Sequence, residues 1–221
     1  MNDQRLKKTF LSHIRKHATK PVFLHIRTRL RLLPFEKVIK HIPNDGPVLD
    51  IGCAYGGLLG LLYFAGNRNP LIGTDIDETR LRIAQQINPA PEQIRYIQDI
   101  AGEIPAESLR AIILCDVLYL LEDKEKERLL SSLTPYLAKD GVFFIKTTDP
   151  RKKIKFFWTY WQEILAVKIL GWTKTKHTRL AFIKDLDSFC RFLASLGFRT
   201  EQQMIDRGCW YPHILITARK Q

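Results

Sequence analysis

Short apolar runs alternate with amphipathic stretches along most of this chain. Val48–Ile51, residues 71–75, 94–98, 111–115 and 141–147 each read as strands of four to seven mostly apolar residues. Between them, apolar positions recur three or four apart over 58–65, 78–87 and 123–136, which predicts helices. Strands alternating with helices predict right-handed βαβ crossovers and a parallel sheet covered on both faces. Residues 185–196 form a further predicted helix, with Asp185 or Asp187 near its N-cap and Gly197 at its C-cap. Two last strands, 199–205 and 212–218, joined by Asp206-Arg207-Gly208, should be antiparallel neighbours. Two helices are expected ahead of the first strand, over 3–19 and 24–41, where Leu6, Phe10 and Ile14 and then Leu30, Leu33 and Val38 recur at helical spacing. Pro21 and Pro34 should start or stop helices there. The expected fold is a doubly wound α/β sheet of seven strands, with N-terminal helices and a helical insertion after strand five. Three parts follow: basic amphipathic helices over 1–42, a main domain over 43–221, and a capping insertion over 151–184.

Composition narrows the class. The 221 residues are 45% hydrophobic, enough for one sizeable core. No run of about 18 apolar residues suggests a membrane span. The start, Met1-Asn2-Asp3-Gln4-Arg5, lacks the apolar core of a secretory signal. The four cysteines are scattered without metal-ligand spacing, so they are read as reduced thiols and no metal is expected. Together these features predict a cytoplasmic protein.

The net charge of +12 is unevenly placed. Residues 1–40 carry +9, residues 41–150 carry −6, residues 151–184 carry +8, and the remainder +1. Cationic blocks either form solvated faces or meet something negative. Both blocks also hold Phe, Trp and Leu side chains, a pattern that suits a helix lying on an anionic membrane surface. It also suits a lid over a lipophilic substrate presented by an acidic carrier protein. Nucleic acid is a further polyanion to weigh.

The chemistry-bearing positions fall at strand ends. The first strand runs into Asp50-Ile51-Gly52-Cys53-Ala54-Tyr55-Gly56-Gly57. Small residues at 52, 54 and 56 let backbone approach a ligand closely. Asp50 can accept from an ammonium group, whereas a pyrophosphate would be repelled by it. Asp75, 23 residues after Gly52, can bind both hydroxyls of a ribose, its alternative role being a helix cap. Gln98-Asp99-Ile100 can offer a carboxylate and a backbone N–H to an adenine ring. Asp116 and Tyr119 follow the fourth strand, near the same crevice. Ligands of open α/β sheets bind at these carboxyl ends. Dinucleotide binding also uses a glycine-rich loop and a ribose acid. Here, however, the phosphate-loop pattern is only nearly met, as Gly52-x-Ala54-x-x-Gly57.

In order and spacing, these motifs resemble the class I S-adenosylmethionine-dependent methyltransferases, over residues 46 to 221. The resemblance implies that Asp50, Gly52, Ala54 and Gly56 surround the methionine part of the cofactor, Ala54 standing where glycine is usual. It implies that Asp75, with Ile76 beside it, binds the ribose and that Asp99 and Ile100 contact the adenine. Asp116 and Tyr119 would sit beside the sulfonium and the acceptor. Leu137-Ala138-Lys139-Asp140-Gly141 matches the family's turn before strand five.

The sulfonium is already reactive, so alignment matters most. A general base helps where the acceptor is a hydroxyl. Candidates are His177, His213, Tyr119 and Asp149. His177 falls in the capping insertion, and His213 begins the last strand, expected away from the cofactor or at the rim of the site. Lys146, Thr147 and Asp149 are expected to line the acceptor pocket. The residues from Asp206 to His213 resemble bacterial methyltransferases of lipid or polyketide-type gene clusters. The leading expectation is methyl transfer to oxygen of a hydrophobic small molecule or acyl-type substrate, carrier-bound or at the inner face of a membrane. Alternatives are an RNA methyltransferase, although no Asn/Asp-Pro-Pro-Tyr-like sequence follows strand four, and a non-catalytic cofactor-binding protein.

Overall fold

The computed structural model describes residues 2–152, 181–206 and 211–221. His177 and nearly all of the expected insertion lie outside the described residues, as does most of the turn after Asp206.

Helix α1 (Asp3–His17) starts where the Asn2 side chain accepts from the Gln4 N–H, and Leu6, Phe10 and Ile14 form its buried face. Helix α2 spans Lys20–Leu32, not the expected 24–41. Pro21 explains the early start: it occupies the first turn, where a missing N–H costs nothing. Pro34 explains the end, because it disfavours helical backbone in the residue before it. The remainder is a single turn, α3 (Phe35–Val38).

The alternating core follows: β1 (Val48–Ile51), α4 (Gly57–Phe64), β2 (Leu71–Thr74), α5 (Glu78–Gln86), β3 (Ile94–Ile97), β4 (Leu109–Cys115), α6 (Asp123–Leu133) and β5 (Leu137–Thr148). Helix α7 (Leu186–Ser195), β6 (Phe198–Met204) and β7 (His213–Lys220) close the chain. Asp185 caps α7, accepting from the Asp187 and Ser188 N–H groups. The seven strands form one sheet in the order β3-β2-β1-β4-β5-β7-β6. Only β7 runs antiparallel, between β5 and β6. The expected seven-stranded sheet with its antiparallel hairpin is therefore present, except that β5 begins four residues before the expected 141. Leu109 pairs with Leu137 and then Ala111 with Val142, so the expected turn is a bulge inside the strand. Asp140 adopts φ 62° within it.

The sheet is buried on both faces, and successive strand residues feed opposite layers. Val48, Ala111 and Ile113 pack with α1, α2 and α4, while Leu49, Ile112 and Leu114 pack with α6 and α7. The N-terminal helices thus share a core with the sheet. Phe10 is fully buried, and its ring occupies the space a Cβ on Gly60 of α4 would fill. Phe10→Ala should cost about 3–5 kcal/mol of stability. Chemical denaturation of the intact chain measures this, and a loss under 1 kcal/mol would mean that α1 is only loosely docked.

Candidate functional site

Parallel pairing brings the carboxyl ends of β1 to β4 to one edge, and each end carries an acid. Asp50 closes the buried part of β1. Asp75 follows β2, Asp99 follows β3 and Asp116 follows β4. The chain leaves β1 through a left-handed turn, with φ of 73° at Gly52, 50° at Ala54 and 72° at Gly56. A side chain on Gly56 would overlap the Tyr96 ring, and one on Gly52 would meet Val117. Glycine is needed at both positions for close approach as well as for backbone freedom.

Hydrogen bonds lock this turn to β2. Gly52 and Cys53 N–H groups both donate to the Thr74 carbonyl. The Asp75 carboxylate accepts from Ala54 N–H at 2.9 Å through one oxygen and from Asp77 N–H at 2.9 Å through the other. The capping role weighed for Asp75 belongs to Asp77, whose side chain accepts from Thr79 N–H at the start of α5. Ile76 is exposed and Ile100 half-buried. Asp99 is exposed and accepts from Ala101 N–H at 3.0 Å.

A cavity lies over the turn. Asp50, Gly52, Ala54 and Cys115 form its floor, and His25 and Arg29 of α2 form part of its roof. Asp50 is buried, and burial with the nearby Asp75 pushes its carboxyl well above the usual range. Asp116 behaves oppositely. Burial alone would raise its carboxyl, but Lys146, with Arg29 behind it, outweighs burial and holds it below the usual range. The Lys146 Nζ donates to both Asp116 oxygens, at 2.6 and 2.7 Å, with only 1% of its side chain exposed. Asp116 also has φ 57°, in the left-handed region.

The acids and bases expected near the acceptor are brought together in part. His213 pairs in register with Thr148, so its antiparallel strand starts at the carboxyl edge rather than away from it. The ring is 3% exposed and is held through Nε2 by the Leu32 carbonyl at 3.1 Å, which leaves Nδ1 buried without a hydrogen-bond partner. Burial, then Lys146, lowers its pKa to about 3. Asp149 is buried and gripped by Arg151, whose Nε stands 2.8 Å from Oδ1. Tyr119 is buried, with its ring stacked on Phe182 at 5.0 Å. Lys146, Thr147 and Thr148 are all buried beside them. Among the described residues, no group of three His, Cys, Asp or Glu could hold a metal ion.

His25 and Arg29 are the site residues that sequence reasoning missed. Their stretch of α2 shows only amphipathic spacing, and nothing local signals that its polar edge faces β1. His25 packs edge-on against Tyr55 at 5.1 Å, and burial, then Arg29 and Arg80, lowers its pKa to about 4.

Residues 48–141 match the family model described as "Methyltransferase domain". No curated protein matches the chain. Solved structures agree on the fold. Magnesium protoporphyrin IX methyltransferase from Synechocystis PCC 6803, with bound SAH, superposes with a TM-score of 0.61 at 20% identity, over 96% of this chain and 95% of its own. A methyltransferase dependent on S-adenosylmethionine from Mesorhizobium loti gives 0.61 at 15% identity, over 84% of this chain and 96% of that one. The CurJ carbon methyltransferase gives 0.59 at 18% identity over 83% of this chain, which spans only 51% of that structure. The chain thus shares the fold of these methyltransferases. No helix of the described residues is long and apolar enough to cross a membrane.

Buried His213 and half-buried His25 give the protein a predictable acid sensitivity. Their folded pKa values, about 3 for His213 and about 4 for His25, lie below the ordinary imidazole value of 6.5. Stability from keeping them neutral is therefore complete above pH 6.5 and falls as the unfolded state takes up protons below it. Each should cost about 1.4 kcal/mol per pH unit between pH 6 and 4.5. Urea melts across that range should show this slope, reduced by about half in His213→Gln; an unchanged slope would mean that His213 is not buried neutral.

Proposed function

We propose that this protein is a methyltransferase that transfers the methyl group of S-adenosylmethionine to an oxygen of a hydrophobic small molecule or acyl-type substrate. The observation that carries this reading is the buried, neutral His213 with an unpartnered Nδ1, next to the Asp116–Lys146 pair at the sheet's carboxyl edge. In this reading Asp50, Gly52, Ala54 and Gly56 surround the methionine part of the donor. Asp75 takes the ribose hydroxyls, and Asp99 and Ile100 border the adenine. Both Asp75 oxygens already accept one N–H each, but each retains a lone pair for a hydroxyl.

The acceptor hydroxyl donates to His213 Nδ1, which aims an oxygen lone pair at the methyl carbon. The carbon–sulfur bond breaks as the carbon–oxygen bond forms, giving S-adenosylhomocysteine and a protonated ether or ester oxygen. That oxonium is far more acidic than an imidazolium, even one weakened by burial, so His213 can take its proton late and release it to solvent. A base of low proton affinity suits this late transfer and cannot be blocked by protonation at neutral pH. Buried Tyr119 and the stacked Phe182 supply apolar surface near the same edge. Asp149, committed to Arg151, fits the base role less well.

The exposed edge of α2 supports delivery from an anionic surface. Lys20, Leu24, Arg27 and Arg31 are exposed at helical spacing, and Leu24 is 51% exposed. Residues 1–42 would then act as a lid that meets a membrane or an acidic carrier.

Incubating the protein with methyl-labelled S-adenosylmethionine and a cell extract tests the acceptor class. Label should enter the organic-soluble or acyl fraction, and His213→Gln should slow this by roughly 100-fold with donor affinity kept. Label entering RNA instead would overturn the reading. Flotation with anionic vesicles should lose the protein when Lys20, Arg27 and Arg31 are changed together to Glu, whereas neutral vesicles should recover neither form. Equal recovery of both forms on anionic vesicles would remove the surface-delivery role.

A further inference from the structure

Helix α1 turns one face into the core and the opposite face into water. Leu6, Phe10 and Ile14 form its buried stripe. At about 100° per residue, Arg5, Lys8, Ser12, Arg15 and Lys16 fall within an arc of about 100° on the far side. All five are exposed. Four are cations and the fifth is a small hydroxyl, so the arc carries no apolar and no acidic group. From Arg5 to Lys16 it runs about 16 Å along the helix axis.

The acids that could neutralise this arc are engaged elsewhere. Residues 1–40 contain two, Asp3 and Glu36. Asp3 pairs with Lys40 at 2.7 Å and Glu36 with Lys7 at 2.9 Å. Among the described residues, Arg5, Lys8, Arg15 and Lys16 enter no ion pair. Helix α2 follows after two residues, and its buried stripe of Val22, Ile26 and Leu30 enters the same core as that of α1. The outer arcs of both helices therefore point away from one core layer. On α2 that arc is mixed, because Lys20, Arg27 and Arg31 surround Leu24, which is 51% exposed.

A purely cationic helix face beside a cationic face with a leucine at its centre matches an anionic lipid surface. The cations meet headgroups, and the apolar side chain enters between them. Single-stranded RNA would use the cations equally well, but its bases stack on exposed aromatic rings, and neither helix exposes a Phe, Tyr or Trp. We propose that α1 docks this protein on an anionic bilayer, its cationic arc lying along the headgroups while Leu24 of α2 enters the layer beside it. This rests on the surface-delivery reading of α2 and extends it: α1 is the electrostatic anchor, and α2 supplies the apolar contact.

Flotation of the full chain tests the assignment, with vesicles of phosphatidylglycerol mixed into phosphatidylcholine and with phosphatidylcholine alone. The unaltered protein should float with the anionic vesicles only. The combined variant Arg5→Gln, Lys8→Gln, Arg15→Gln, Lys16→Gln should bind them at least about tenfold more weakly, since each cation near such a surface is worth about fivefold in affinity. Raising salt from roughly 0.1 M to roughly 0.5 M should weaken the unaltered protein more than the variant. Leu24→Ala should instead remove most of the binding that survives high salt. If the fourfold variant does not fold, the salt dependence of the unaltered protein and the Leu24→Ala result carry the test. Equal binding by the fourfold variant would make the α1 arc a solvated face and overturn the proposal. So would failure of the unaltered protein to float while the α1 cations are needed to retain RNA or a soluble acidic carrier protein. The assay contains neither methyl donor nor acceptor. A negative result here therefore leaves the oxygen-acceptor reading standing, and label entering RNA would overturn that reading without touching the flotation result.

Discussion

Parallel strands put their carboxyl ends on one edge, and here four of those ends bring an acid. Holding so much like charge in a half-buried crevice is the constraint that the surrounding structure answers, and each acid is accommodated differently. Asp99 stays in water. Asp75 is fixed by two backbone N–H groups. Asp116 is buried and survives ionised because Lys146 is buried with it. Asp50 is buried among acids, and its affinity for a proton rises accordingly. The buried pair alone would be weak evidence for stability, since desolvation consumes much of its attraction. It pins the end of β4 to β5 at the sheet's carboxyl edge.

The N-terminal helices follow from the same constraint. Cations on α2 stand over the acidic edge, and the apolar residues beneath them join the main core. A segment that looks, from its charge, like an appendage for meeting polyanions is thereby also part of the inner wall. Its outward edge keeps Lys20, Arg27 and Arg31 in water.

Most of the fold was legible because its signals are local. Short apolar runs between amphipathic stretches mark strands and helices, and the turn residues around Asp206 mark the hairpin. The errors have physical causes. Pro21 could start or stop a helix, and in α2 it stands in the first turn, which moves the helix start ahead of the expected residue 24. The start of β5 was read as a turn because a bulge and a turn use the same residues, Asp140 and Gly141. At the carboxyl edge, Asp50, Asp75, Asp99 and Asp116 could be placed because each stands at or near a strand end. Arg29 and His25 could not, since their importance depends on which way α2 rotates against the core. His213 was placed either away from the cofactor or at the rim, because the direction of one antiparallel strand decides which edge its first residue reaches, and the pairing with Thr148 puts it at the carboxyl edge.

The bond from His213 to the Leu32 carbonyl joins residues 181 positions apart. A ribosome makes α2 early and β7 among the last elements described. The roof can lie against the sheet long before that, but it cannot be fastened until the final hairpin has paired with β5. Until then the crevice lacks both His213 and the tie that steadies its cover. A chain interrupted before β7 would hold every acid of the carboxyl edge and still lack the tie that joins its cover to the sheet, so the edge is finished only when the last strand is made.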